Sequence, residues 1–163
     1  MDLLFHFIIQ LAYIYHSGFT AETEDHFLVF DYYKGQIKLP DKPIIVFASH
    51  GHADHYNPLI LDWQKQQAEI SYVLSHDIKL ASQGQEQIHH LAPYEELELD
   101  GLQIKTFGST DLGVSFLVHA EGKYIFPMHF GQDYDITGKF AQLMAGSGTE
   151  IFRISKENQV FKL

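Results

Sequence analysis

Ile44-Ile45-Val46-Phe47-Ala48-Ser49-His50-Gly51-His52-Ala53-Asp54-His55 is the stretch on which the fold turns. Its first five residues are apolar without alternation, which is the pattern of a central strand buried on both faces. The next seven bring three imidazoles and a carboxylate to the point where that strand ends. Loops at the carboxyl ends of strands are where α/β sheets bind their ligands. Positions two apart in an extended or turning loop point the same way, so His50 and His52 can meet on one metal ion. Asp54 and His55 lie just beyond and can hold a second. Gly51 and Ala53 keep the intervening positions small, so the loop can close on ions about 3.5–4 Å apart that share a hydroxide. Placement directly after a buried strand weighs against the competing reading, a polar surface loop.

Upstream, Leu11 to Tyr15, Phe19 to Thr23 and Phe27 to Tyr33 read as successive strands, broken by Ser17-Gly18 and Glu24-Asp25. Downstream, Asn57-Pro58 predicts a helix start, with Leu59, Ile60, Trp63 and Gln67 following at helical spacing. Tyr72 to Ser75 is the next strand, and the strand–loop–helix–strand order implies a parallel crossover. From Ile88 to Phe126 the pattern is β again. Glu95 to Leu99, Leu102 to Phe107, Val114 to His119 and Lys123 to Phe126 are the strands, with turns at Asp100-Gly101 and Glu121-Gly122. Asp133 to Ala145 reads as a helix ended by Gly146-Ser147-Gly148. Ile151 to Ile154 and Gln159 to Leu163 read as a terminal hairpin-like pair. No repeat, low-complexity tract or linker interrupts the 163 residues, so residues 1–163 form a single domain of α/β class, an α+β sandwich.

Composition narrows the chemistry. Apolar residues make up 45% and charged residues 20%, as in ordinary globular chains. Eleven basic against 21 acidic residues give a net charge of −10, without the basic footprint of a nucleic-acid binder or much attraction for anionic membranes. There is no cysteine, so a metal would be held by nitrogen and oxygen, and eleven histidines are available for that. The apolar run from Leu3 to Leu11 is too short and interrupted to cross a membrane. Asp2 precedes it where a signal peptide carries Lys or Arg, so it reads as a buried strand or short helix and the default location is cytoplasmic.

His50-x-His52-x-Asp54-His55 behind a buried strand resembles the signature of the metallo-β-lactamase superfamily. Tyr13-Ile14-Tyr15-His16-Ser17-Gly18-Phe19, Phe30-Asp31-Tyr32-Tyr33, residues 108–116 and Pro127-Met128-His129-Phe130 resemble segments of a bacterial branch of uncharacterised metal-dependent hydrolases within it. The resemblance covers nearly everything from Leu11 to Leu163. It implies an αβ/βα sandwich with metals at one edge between two sheets, and hydrolysis of lactams, lactones, thioesters or phosphodiesters. It also implies His50 and His52 on a first metal, and Asp54, His55 and His129 on a second. His16 matches a histidine that lies near the site in related members and is a supporting candidate.

The chain departs from the family in two places. Ser109 stands in the turn Gly108-Ser109-Thr110-Asp111 where the superfamily usually has a histidine. Phe126 runs straight into Pro127-Met128-His129, omitting the stretch that carries the metal-bridging aspartate, so the second half reads as truncated. Five evident ligands hold one zinc well or two poorly, and one zinc with three protein ligands and a water suffices for hydrolysis. Asp111 is a candidate replacement ligand. The lost elements would uncover part of the second sheet, which predicts lower stability or a homodimer.

The function expected is a metal-dependent hydrolase of a small-molecule ester, lactone or phosphoester, working through a metal-bound water that Asp54 helps orient. The cofactor expected is zinc, one ion or two, or another divalent metal. The alternative is a non-catalytic metal-binding domain that has lost the bridging aspartate. Nuclease activity is disfavoured by the charge. Elsewhere, His89 and His90 would point to opposite faces of a strand and cannot share a metal easily. His76-Asp77 can orient a ligand or cap a loop, while His6, His26 and His119 read as structural. Trp63 and the tyrosines at 13, 15, 32 and 33 read as core or pocket wall.

Overall fold

Every residue of Ile44–Ala48 is buried, and this strand sits within the principal sheet with two described strands on one side and four on the other. The computed structural model describes residues 10–67, 69–80, 87–109, 112–119, 124–125, 135–143, 145–146, 150–151, 153, 155–156 and 159–162. Its strands are β1 (Gln10–Tyr15), β2 (Gly18–Glu22), β3 (Phe27–Phe30), β4 (Ile44–Ala48), β5 (Ile70–Ser75), β6 (Ile88–Leu91), β7 (Glu96–Leu99), β8 (Leu102–Gly108), β9 (Val114–His119), β10 (Tyr124–Ile125), β11 (Glu150–Ile151) and β12 (Val160–Lys162). A 3₁₀ helix spans Pro58–Lys65 and the helix α1 spans Asp135–Leu143. The principal sheet runs β12-β1-β2-β3-β4-β5-β6, β7-β8-β9 form a second sheet, and β10 pairs with β11.

The side-chain alternation of β4 explains the layers. Ile44, Val46 and Ala48 face Val29, Tyr72 and Leu74 on one side, where Ile60 and Trp63 of the 3₁₀ helix cover them. Ile45 and Phe47 face the other way, with Leu28, Val73 and Leu91, against Ile104 of the second sheet. A strand packed on both faces has no polar side to show, hence the unbroken apolar run. Three register partners stack their rings across this inner face. Phe19 lies on Phe30 and Phe30 on Phe47, each at 4.5 Å between centroids, and Phe116 of β9 meets Phe47 edge-on at 5.3 Å.

Most of the predicted elements form where the periodicity placed them. The parallel pairing of β4 with β5 confirms the crossover, and Asp100 (φ 50°) and Gly101 (φ 81°) make the two-residue turn between β7 and β8 with the positive φ values a type I′ hairpin requires. The predicted helix at Pro58 is a 3₁₀ helix. Asn57 caps it by accepting from the Leu59 N–H at 3.0 Å, and the Tyr72 hydroxyl donates to the Ile60 carbonyl at 2.8 Å. The expected terminal hairpin is a correction. β11 lies parallel to β10, and β12 instead pairs antiparallel with β1, Gln10 opposite Lys162. An edge strand carries a row of backbone donors and acceptors in want of partners, and β12 meets those of β1. The expectations for residues 3–9, the turn at Glu121-Gly122, and the Pro127–Phe130 segment lie outside the described residues. Among the described residues, no helix is long and apolar enough to cross a membrane.

Candidate metal centre

The predicted third strand was expected to reach Tyr33, but it ends at Phe30, and the residue that ends it builds the site. Asp31 turns into the left-handed region (φ 45°), a conformation aspartate tolerates better than most residues, and is 2% exposed. Its Oδ1 accepts the Ser49 backbone N–H at 2.7 Å. Its Oδ2 accepts the Ser49 hydroxyl at 2.8 Å and lies 2.9 Å from His55 Nδ1. A carboxylate oxygen accepts, so Nδ1 carries the ring proton and Nε2 keeps its lone pair for the opposite side. That nitrogen lies 3.8 Å from Asp54 Oδ2. Such a carboxylate–histidine pair fixes both the tautomer and the ring orientation of a metal ligand.

The second wall comes from the tight turn between β1 and β2. His16 sits there with φ 56°, its carbonyl accepting the Tyr13 hydroxyl at 2.9 Å. Its Nε2 lies 3.1 Å from Asp54 Oδ2, and the neighbouring Ser17 hydroxyl donates to the Asp54 carbonyl at 2.7 Å. His16, Asp54 and His55 each place one ligand atom within 4.8 Å of the other two. The His50 ring lies 4.0 Å from that of His55 and 4.7 Å from that of His52, and the His16 ring is 6.1 Å from His55. The structure thus gathers His16, His50, His52, Asp54 and His55 at the end of β4. Burial pushes the Asp54 carboxyl upward, but its own backbone N–H, the electrostatic attraction of the neighbouring His55 and His16 rings and a hydrogen bond from His16 outweigh this and hold it below the usual carboxylate range.

Two close approaches hold the loop in place. Gly51 N–H donates to Asp77 Oδ2 at 2.8 Å from the segment after β5, so of the two alternatives for His76-Asp77 the aspartate anchors the loop between His50 and His52. Gly113 (φ 83°), in the turn between β8 and β9, lies so near that a Cβ there would stand 2.0 Å from the Ser49 carbonyl and 2.6 Å from the His50 Cβ. The Val114 N–H donates to the same carbonyl at 2.9 Å. The half-buried Ser109 lies at the β8 end of the same connection. Asp111 and His129 lie outside the described residues.

Sequence reasoning passed over Asp31, although an acid closing an apolar strand was a signal that could have found it. It also gave His16 a supporting place, whereas the geometry sets its Nε2 among the ligand atoms. Two imidazole nitrogens and a carboxylate oxygen, without sulfur, form a donor set that suits zinc or another divalent ion of similar hardness.

A family model described as the beta-lactamase superfamily domain matches residues 10–136. This chain belongs to the metallo-β-lactamase superfamily. Among solved structures, this superfamily member is similar to Igni18, a metallo hydrolase from the hyperthermophilic archaeon Ignicoccus hospitalis, with a TM-score of 0.67 at 13% identity. The match covers 96% of this chain and 98% of that one, so it runs nearly end to end on both. It is also similar to CmlA, a diiron β-hydroxylase from Streptomyces venezuelae, with a TM-score of 0.52 at 14% identity over 71% of this chain and 28% of that one. The E377D mutant of the CmlA β-hydroxylase gives 0.53 at 14% identity, covering 84% of this chain and 33% of that one. These likenesses establish the fold. A comparison with curated proteins gives no match.

Proposed function

We propose that this superfamily member is a metal-dependent hydrolase of a small-molecule ester, lactone or phosphoester. The observation that carries the reading is the convergence of His16 Nε2, an Asp54 oxygen and a His55 nitrogen within 4.8 Å, beside the His50 and His52 rings of the same loop. His50 and His52 are assigned to one ion, and Asp54 and His55 to a second, with His16 added to them by its geometry and His129 by family resemblance. Zinc is the ion we favour, on the donor set alone. A divalent ion held there supplies Lewis acidity and a water acidified toward neutrality.

The chain's own residues then have separate tasks. Asp31 holds the His55 ring with Nε2 turned inward. Asp54 keeps a carboxylate ionised at neutral pH between His16 and His55, where it can hold an ion or orient a nucleophilic water. Ser17 and Asp77 fix the loop backbone from two sides, so that the ligands need not reorganise on binding. A cytoplasmic location and a homodimer covering an open sheet edge belong to this reading on composition and family resemblance.

Metal content and turnover test it together. Protein purified without a histidine tag is expected to contain close to one or two equivalents of zinc by elemental analysis, and to hydrolyse members of an ester, lactone and phosphodiester panel in a chelator-sensitive manner. His52→Ala is expected to abolish that activity. Less than a tenth of an equivalent of any divalent metal, with chelator-resistant activity, overturns the proposal. Tight zinc binding without turnover across the panel favours the non-catalytic alternative.

A further inference from the structure

Ser49 lies between two histidines assigned to different ions. Its Oγ is 2.8 Å from Asp31 Oδ2, 3.1 Å from His50 Nδ1 and 3.5 Å from His55 Nδ1. His55 Nδ1 is itself 2.9 Å from the same Asp31 oxygen. The serine is held at this place by its backbone. Its N–H donates to Asp31 Oδ1 at 2.7 Å, and its carbonyl accepts the Val114 N–H at 2.9 Å. Asp31 is anchored in turn by its own N–H, which donates to the Phe47 carbonyl at 2.9 Å.

Counting protons gives each bond its direction. A carboxylate oxygen only accepts, and a serine hydroxyl has one proton to give. Two oxygens 2.8 Å apart need a proton between them, so the Ser49 proton goes to Asp31, where the charged acceptor also makes the stronger bond. Ser49 then meets His50 with oxygen lone pairs alone. The 3.1 Å contact is a hydrogen bond only if His50 Nδ1 is the donor. His50 therefore carries its ring proton on Nδ1 and keeps the lone pair on Nε2. The opposite tautomer, with the proton on Nε2, cannot ligate a metal through that nitrogen. His50 and His55 are both buried, so water does not readily replace an acceptor lost at Nδ1.

From this we infer that Ser49 is a positioning residue for His50, relaying the hold of Asp31 so that one carboxylate oxygen sets the ring tautomer of a ligand on each of the two ions. The inference rests on the metal-dependent hydrolase reading and adds to it the residue that prepares the first ion's histidine. Asp31 acts on His55 by direct contact and on His50 through the serine hydroxyl. What the position requires is a hydroxyl that donates one way and accepts the other. Threonine supplies it and alanine does not.

Imidazole nitrogen resonances read the tautomer directly, on metal-free protein at a pH where the rings are neutral. Wild type is expected to show His50 and His55 each with the proton on Nδ1. In Ser49→Ala, His50 should spread its proton over both nitrogens while His55 keeps the wild-type pattern, and Ser49→Thr should restore His50. In competition with a chromophoric chelator, Ser49→Ala is expected to bind zinc about tenfold more weakly than wild type, with Ser49→Thr binding as wild type does. A wild-type His50 with its proton on Nε2 overturns the inference without any variant. So does a Ser49→Ala spectrum in which His50 is unchanged, or an unaltered zinc affinity in that variant. If the zinc-loaded wild type hydrolyses none of the ester, lactone and phosphodiester panel, the hydrolase reading falls, and the tautomers and zinc affinities still decide the role of Ser49.

Discussion

Asp31 and His16 show how much of this site depends on single atoms. Asp31→Asn keeps a residue that tolerates the left-handed backbone but turns one accepting oxygen into a donor, so either His55 or Ser49 loses its acceptor. Removing such a partner from a ligating histidine weakens metal binding about ten- to hundredfold. Competition with a chromophoric zinc chelator should therefore show that loss for Asp31→Asn and a smaller one for Ser49→Ala, which leaves the His55 contact intact. Equal zinc affinity in Asp31→Asn and wild type would refute the orienting role. The two residues were legible to different degrees. The spacing of His50, His52, Asp54 and His55 announced itself because all four lie within six positions. Asp31 and His16 come from other elements, and nothing local in a sequence says that a turn between two strands will land 3.1 Å from a carboxylate 38 residues later.

At the scale of elements, the turn between β8 and β9 and the segment after β5 act as clamps on the histidine loop. Gly113→Ala would drive a Cβ into the Ser49 carbonyl, with left-handed strain of about 1–3 kcal/mol and overpacking of a similar size. Gly101→Ala has the same sign of φ but meets nothing within 4 Å, so only the backbone term applies, about 1–2 kcal/mol. Urea denaturation of the two variants should separate them by that margin, and only Gly113→Ala should also weaken metal binding. The Asp77 clamp carries a pH signature. Burial pushes its carboxyl up, but hydrogen bonds from Ser75, Gly51 and its own backbone hold it below the ordinary value of 3.8. A depressed folded pKa contributes stability that is present above the unfolded value and is lost as pH falls through the folded one. Asp77→Asn should therefore be less stable than wild type at pH 7, with the gap closing below about pH 3.8; a gap that stays constant down to pH 3 would remove the charge from the argument.

The elements themselves were readable because their burial follows simple periods. The five-residue apolar run could only be a strand covered twice, and alternation in β7 left Glu96 and Glu98 exposed with Leu97 and Leu99 turned inward. The C-terminal strands were misjudged because proximity in sequence favours a hairpin, whereas pairing is decided by which edge lacks a partner. Ser155 and Gln159 hydrogen-bond each other within the connecting segment, yet the strand that follows goes to β1.

For the molecule as a whole, the two sheets are joined by aromatic rings. Phe47 is fully buried between Phe30 and Phe116, so Phe47→Ala removes contacts in both layers at once and should cost about 3–5 kcal/mol in urea unfolding. A loss below 1 kcal/mol would mean the sheets pack independently of this ladder. Metal should add to the same stability, because a site assembled from β1–β2, β3–β4 and β4–β5 connections exists only in the folded chain. Zinc at a hundred times its dissociation constant contributes about 2.7 kcal/mol, which for a chain of this size raises the melting temperature by roughly 5–10 °C. Differential scanning calorimetry with zinc and then with chelator measures that shift, and an unchanged midpoint would argue against an ion bound to the native state.

The pairing of β1 with β12 has a consequence during biosynthesis. Residues 10–12 find their outer partners only at residues 160–162, so β1 leaves the ribosome roughly eight to thirty seconds before its mate at ordinary elongation rates. Through that interval the nascent chain presents a bare, strand-ready border, so the faster the intervening stretch is translated, the more of the newly made chain escapes aggregation.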